Sequence, residues 1–206
     1  MTSEYSLAGR VVSRETWDRL KALEGLLRKW TKAINLVSPG TLDTIWTRHF
    51  ADSAQIFDMA PDRARSWADL GSGGGFPGLV VAILAKDESP GLSVTLVESD
   101  QRKAAFLMTA ARTLDLRVTV VADRIESVAP LGAKVLSARA LAPLDVLLGY
   151  AERHLNRAGV AIFPKGATVD DELAHALEHW RFSYQKEPSR TDAAGVVLII
   201  GGITRV

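Results

Sequence analysis

The densest chemistry in the sequence is the run Asp69-Leu-Gly-Ser-Gly-Gly-Gly-Phe-Pro-Gly78. Glycines in such a run free the backbone to take positive φ and let a ligand approach the main chain closely. Gly73, Gly75 and Gly78 satisfy the G-x-G-x-x-G spacing of dinucleotide loops, a weak signal by itself. Two carboxylates bear on which ligand the loop takes. Asp69 lies two residues before Gly71; a carboxylate there is awkward for a pyrophosphate but suits the cationic methionine end of S-adenosyl-L-methionine. Glu98 ends the next apolar run and can accept hydrogen bonds from both hydroxyls of a ribose. NAD and S-adenosylmethionine both carry that ribose, so Asp69 discriminates between them and Glu98 does not. The remaining alternative is a glycine-rich turn that binds nothing.

Further along, Asp123-Arg-Ile-Glu126 closes another apolar run. Ile125 could pack on an adenine ring, with a carboxylate nearby to accept from its amine. The same residues could simply open a helix, with Glu126 in its first turn. Other groups of interest are Arg48-His-Phe-Ala-Asp-Ser53, then Arg139 and Lys165, each of which follows a strand-like run. Ends of parallel strands are where ligand residues collect. With Arg102 and Lys103, the side chains of Arg48 and Lys165 could form a basic rim for phosphates. Each has a plainer alternative: His49 as a packed histidine, Asp52 and Ser53 as helix-end residues, Arg139 as an ion pair, Arg102 and Lys103 as solvated charges.

These residues need a scaffold, and the hydrophobic pattern supplies one. Trp17, Leu20, Leu23, Leu27, Trp30 and Ile34 recur at steps of three and four, which predicts an amphipathic helix over 15–34. Ser13 or Thr16 could cap it. Asn35–Gly40 breaks the pattern, and a second helix is expected from Thr41 through Phe57. From Ser66 onward, short apolar runs (Trp67–Leu70, Val94–Val97, Val118–Ala122, Val135–Leu136, Val160–Phe163) alternate with helical stretches (Pro77–Leu84, Gln101–Leu114, Pro143–Leu155, Asp170–His179). That alternation predicts an α/β fold with a parallel sheet. Trp180–Glu187 and Val196–Ile203 are separated only by a polar loop and predict a terminal antiparallel hairpin. The whole is expected to be one Rossmann-like domain, with 1–57 a helical extension packed on a 58–206 core.

A chain of 206 residues can bury a core without staples. It contains no cysteine, which excludes disulfides, thiolate metal sites and a cysteine nucleophile. The first residues lack an apolar run of signal-peptide length, and no stretch matches a membrane span, so a cytoplasmic protein is expected. No metal is expected, and a monomer is. The net charge of +1 neither argues for nucleic acid nor excludes it. Arg10, Arg14, Arg19, Lys21, Arg28, Lys29 and Lys32 nevertheless outnumber Glu15, Asp18 and Glu24 on one short segment. Such runs are usually solvated helix faces.

Lys29–Ser38, Arg48–Ser53, Asp69–Gly78 with its Phe-Pro-Gly, Ser137-Ala-Arg-Ala140 and Pro164-Lys-Gly166 together resemble one family. It is the small-subunit (16S) ribosomal RNA guanine-N7 methyltransferase family, also called glucose-inhibited division protein B. The likeness covers about residues 20 to 202. The family often has Asp where this chain has Glu98, and a small apolar residue where it has Pro164. The resemblance implies a methyltransferase fold, S-adenosyl-L-methionine as cofactor, and 16S ribosomal RNA or the small-subunit particle as partner. It implies that Gly71 and Phe76 contact the cofactor through the loop, with Ile125 and Glu126 at its adenine side; Asp69, Gly73 and Glu98 join them on the reading of the loop given above. Arg139 would reach the cofactor or the target pocket. His49, Asp52, Ser53 and Lys165 would line the cleft for guanine, with Arg48 beside them for RNA.

Guanine N7 already carries a free lone pair, so it can attack a sulfonium methyl group without first losing a proton. No general base is then required, and in-line positioning can lower the barrier by several kcal/mol. The methylated ring is cationic, so a nearby carboxylate would stabilise the developing charge. Asp52 is the candidate, with His49 and Arg139 beside it.

Overall fold

From Ser66 to the C terminus, apolar periods of two and of about 3.6 alternate, and the chain folds accordingly as a doubly wound sheet. The computed structural model describes residues 5–7 and 9–206. The absence of a signal-like run was read partly from residues 1–4 and 8, which lie outside the described residues.

The core elements are β3 (Ser66–Leu70), α3 (Gly78–Glu88), β4 (Ser93–Val97), α4 (Gln101–Thr113), β5 (Val118–Val121), β6 (Ala133–Ala138), α5 (Leu144–His154), β7 (Leu155–Lys165), α6 (Val169–His179), β8 (Trp180–Pro188) and β9 (Val196–Arg205). The strand order is β5-β4-β3-β6-β7-β9-β8. β3, β4, β5, β6 and β7 pair in parallel, whereas β9 runs antiparallel to both β7 and β8. This is the expected sheet with its terminal hairpin. β7 extends well beyond Val160–Phe163, because its register with β9 continues to Lys165.

Ahead of the core come a short antiparallel pair, β1 (Ser6–Leu7) and β2 (Arg10–Val11), and then α1 (Arg14–Thr31). The pair was not anticipated; two-residue strands carry too little pattern to read. Ser13 caps α1 by accepting from the Thr16 N–H, and Leu20, Leu23 and Leu27 are buried beneath it. The expected second helix is broken into three pieces. A 3₁₀ turn at Pro39–Thr41 is followed by a π-helical stretch, Trp46–Ala51, which leads into α2 (Asp52–Asp58). π-turns are rare, and they concentrate at functional sites.

Two apolar layers sandwich the sheet. Leu20, Leu23 and Leu27 of α1 share one layer with Trp67, Ile83 and Phe106. Leu70, Val97, Leu136, Leu148 and Phe163 belong to the other, under α5 and α6. The chain proceeds from β3 outward to β4 and β5, then returns to β6 on the other side of β3. At such a switch point the loops diverge and leave a crevice above the strand ends.

Candidate functional site

Two cavities open at this switch point. The first, of about 310 Å³, lies above β3, β4 and β5 and is lined by Gly71, Gly73, Val97, Glu98, Ile125 and Glu126, among others. Gly71 and Gly73 have φ of 64° and 53°, a region costly for any residue with a Cβ. A Cβ on Gly71 would lie 2.6 Å from Leu141 Cδ1, whereas beside Gly73 the nearest atom is the Gly71 carbonyl oxygen at 3.8 Å. The loop therefore leaves open space against its own backbone.

Glu98 is buried at the inner edge of this cavity. Its Oε2 accepts from the Gly73 N–H and its Oε1 from the Asp100 N–H, both at 2.8 Å. A carboxylate oxygen has two lone pairs, so each retains one for a ligand hydroxyl. Glu98 thus curls the glycine loop as well as facing the cavity. Ile125 is almost fully buried, and Glu126 is exposed. Tyr150, unnoticed in the sequence, lines the same wall, and its hydroxyl donates to Glu126, holding that carboxyl below its usual pKa. Acceptors at the ribose and amine positions, an apolar side and a Cβ-free approach fit S-adenosylmethionine.

Asp69 departs from expectation. It is completely buried; Oδ1 accepts from the Ser137 hydroxyl at 2.7 Å and Oδ2 from the Gly78 N–H at 3.2 Å. Ser137 in turn accepts from Trp67 Nε1 at 2.8 Å. Asp69 therefore ties β3 to β6 and to the start of α3, beneath the loop, and does not line the cavity. Burial raises its pKa to about 6, against hydrogen bonds that pull it down. The contact with a cationic methionine end is corrected accordingly, and with it goes the argument that Asp69 selects the cofactor.

The second cavity, of about 480 Å³, lies over the ends of β6, β7 and β9. Its lining gathers Arg48, His49 and Asp52 from the π-turn and α2, Arg139 after β6, Lys165 at the end of β7, and Thr191 and Asp192 from the β8–β9 loop. Ala140 lines both cavities and adopts a left-handed φ of 50°. Strained non-glycine backbone of this kind persists only where its surroundings hold it.

Arg139 organises the second cavity. It donates to the Arg48 carbonyl at 3.0 Å, to Asp52 Oδ2 at 3.4 Å and to His49 Nδ1 at 2.6 Å, and it lies over the Phe76 ring. A guanidinium only donates, so Nδ1 of His49 is the acceptor and its proton sits on Nε2, facing the Thr41 hydroxyl at 3.2 Å. His49 is kept neutral: burial first, then Arg139 and Arg48, lower its pKa to about 4. The other oxygen of Asp52 accepts from Gln55 at 2.7 Å and from Thr191 at 3.0 Å.

Three expectations need correction or narrowing here. Ser53 is fully buried and donates to the His49 carbonyl at 2.6 Å, so it braces the π-turn and does not line the cleft. Phe76 is buried and stacks on His49 with ring centroids 4.8 Å apart, so its ring supports the second cavity and a cofactor contact is left to its backbone in the loop. Lys165 reaches the cleft, but its side chain is only 8% exposed and its ammonium bridges Glu172 at 2.7 Å and the Ala142 carbonyl at 3.2 Å. It is not a free phosphate-binding cation. Arg139 lines the second cavity, next to Ala140, which lines both. Arg48 is exposed at the rim. Thr41, Gln55, Glu172 and Thr191 had no signal in spacing: Gln55 and Thr191 meet partners 134 and 139 residues away, and the irregular turns between Thr41 and His49 and between Lys165 and Glu172 obscure the shorter contacts.

Among the described residues, no cluster of His, Asp and Glu could hold a metal ion, and no helix is long and apolar enough to cross a membrane. The family described as rRNA small subunit methyltransferase G matches residues 17–195. A relative from Ruegeria pomeroyi, named ribosomal RNA small subunit methyltransferase G, is 53% identical over 95% of each chain. One of the same name from Cereibacter sphaeroides is 48% identical over 100% of both. Among solved structures, a TehB-like SAM-dependent methyltransferase from Corynebacterium glutamicum aligns with a TM-score of 0.56 at 17% identity, covering 88% of this chain and 98% of that one. At that identity the likeness speaks to the fold alone.

Proposed function

This chain belongs to the rRNA small subunit methyltransferase G family, and from that premise we propose that it methylates N7 of one guanine in 16S ribosomal RNA. It is an S-adenosylmethionine-dependent methyltransferase of small-subunit ribosomal RNA. The observation that supports the finer reading is the pair of cavities meeting at Ala140. One fits the cofactor, and the other is walled by side chains that already neutralise one another. When bound, the cofactor supplies an electrophilic methyl group.

In this reading Gly71, Gly73, Glu98, Ile125 and Glu126 hold the cofactor. The neutral His49, stacked on Phe76, offers a flat face for a base. Arg139 and Asp52 position that face. Asp52 also leaves negative charge near the ring as it becomes cationic, in a partly buried setting where such charge counts for more. Nothing in the second cavity needs to take up a proton, which suits N7 better than an amine or hydroxyl target. Arg48 and the basic face of α1 would meet phosphate, giving affinity with little choice of base. A monomer acting in the cytoplasm on RNA or on the particle, folded as one domain with residues 1–57 packed on 58–206, completes the proposal.

The test is to incubate the protein with labelled S-adenosylmethionine and small-subunit RNA and map the labelled base. Borohydride and aniline should cleave the strand at the product, because a 7-methylguanosine ring is cationic and its glycosidic bond labile. Label on an exocyclic amine, a ribose oxygen or C5 would overturn the assignment.

A further inference from the structure

The β8–β9 loop, Ser189–Gly195, carries a carboxylate with spare acceptor capacity at the wall of the target cavity. Strand order places β6 and β7 between the cofactor cavity and β9, so this loop forms the wall farthest from the cofactor. It is fastened to the N-terminal helices by Gln55, which is 2% exposed. Gln55 Oε1 accepts from the Arg190 N–H at 2.9 Å, and its amide donates to Ser189 Oγ at 3.2 Å. Thr191 adds its bond to Asp52.

The cavity holds three carboxylates, Asp52, Glu172 and Asp192. Asp52 accepts from Gln55, Thr191 and Arg139. Glu172 accepts from Lys165 and from the Leu144 N–H. Asp192 is exposed, and its Oδ1 accepts from the Ala194 N–H at 3.0 Å, while among the described residues Oδ2 has no hydrogen-bond partner.

A purine turned so that N7 meets the cofactor presents its opposite side to the far wall. In guanine that side carries N1–H and the N2 amine, two adjacent donors. Adenine has an acceptor at N1 and no amine at C2. A carboxylate with open lone pairs therefore distinguishes the two bases. We propose that Asp192 is the specificity-determining residue of the target cavity, accepting from the N1–H and N2 amine of the guanine, with Gln55 positioning its loop. This rests on the guanine-N7 reading above.

The experiment uses the full-length protein and small-subunit RNA carrying either guanosine or inosine at the mapped position. Inosine keeps N7, O6 and N1–H and lacks only the N2 amine. Wild type should lose about tenfold in kcat/KM on inosine, the scale of a base-edge hydrogen bond. Asp192→Ala should be slower on guanosine by about ten- to a hundredfold and should treat the two RNAs alike, with cofactor affinity unchanged. Asp192→Asn, which keeps the shape and one acceptor oxygen, should fall between them, so a folding defect in the alanine variant would not hide the answer. Undiminished discrimination by Asp192→Ala, or equal rates of wild type on both RNAs, would overturn the inference while 7-methylguanosine in the wild-type product still upheld the reading. Absence of 7-methylguanosine from wild type would overturn both.

Discussion

The two cavities share Ala140 and little else in how they are built. The cofactor cavity takes its loop and carboxylate from consecutive strand ends, Gly71 and Gly73 after β3 and Glu98 after β4. The target cavity is assembled from segments far apart in the chain: Gln55 meets Ser189 across 134 residues, and Arg139 meets His49 across 90. Their electrostatics differ as well. In the first, Glu98 lines open space with lone pairs to spare; in the second, Arg139 with Asp52 and Lys165 with Glu172 are already paired, and His49 is neutral. One cavity is built to bind a defined small molecule through a local motif. The other is a cross-braced frame, proposed above to hold a base in place.

The sharpest way to break the first cavity alone is Gly71→Val. A branched side chain is strained at φ 64°, and its Cβ would press on Leu141, which also lines the cavity. Calorimetry should show S-adenosylmethionine affinity reduced by more than about a hundredfold, with circular dichroism and RNA binding retained. Unchanged affinity would remove the cofactor assignment. Glu98→Ala should cost about ten- to a hundredfold, the range for losing a charge-assisted hydrogen bond. Because Glu98 also holds the Gly73 N–H, Glu98→Gln should recover part of that loss; a change below about twofold in the alanine variant would mean the ribose lies elsewhere.

Asp52→Asn probes the second cavity. It leaves Arg139 without its ionic partner and removes the negative charge near the ring. Single-turnover methyl transfer at saturating RNA should slow by about tenfold, while cofactor affinity stays the same. Wild-type rates would reduce Asp52 to a structural brace. The smallest effect is expected outside both cavities. Neutralising Arg28, Lys29 and Lys32 together should weaken RNA binding severalfold and flatten its salt dependence. Arg28 contributes less than its exposure suggests, because it is engaged with Glu24 at 2.9 Å and with the Leu42 carbonyl. An unaltered salt slope would return this face to simple solvation.

The contrast also explains what could be read from sequence. The sheet, its terminal hairpin and the glycine loop follow from short-range pattern, and each was legible. Glu98 at the cofactor cavity was legible for the same reason, since it ends the strand beside the loop. The role of Asp69 was not: spacing placed it near the loop, but only packing decides which side of the strand its carboxylate occupies. Ser53 failed likewise, because the π-turn shifts the face that a regular helix would present. Lys165 looked like a free cation until Glu172, seven residues on, folded back to it. Gln55 could not be found, since nothing local marks a contact made across 134 residues, and Asp192 makes its one hydrogen bond inside its own loop, so only its place in the cavity singles it out.

The central claim is that the target cavity aligns the base and takes up no proton, and pH tests it. His49 titrates near 4 and Asp69 near 6, and they act on stability with opposite signs. Keeping His49 neutral contributes stability present above its ordinary pKa of 6.5 and lost as pH falls toward about 4. The raised Asp69 contributes stability present below its ordinary 3.8 and lost as pH rises through about 6. Above both values neither changes charge. The decisive measurement is therefore the single-turnover rate of methyl transfer to saturating small-subunit RNA across roughly pH 7 to 8.5, above both values, where a slope could come only from a deprotonation outside His49 and Asp69, such as that of the target base itself. The account predicts a flat profile for wild type. A rate that climbs tenfold per pH unit anywhere in that range would show a required deprotonation and contradict it.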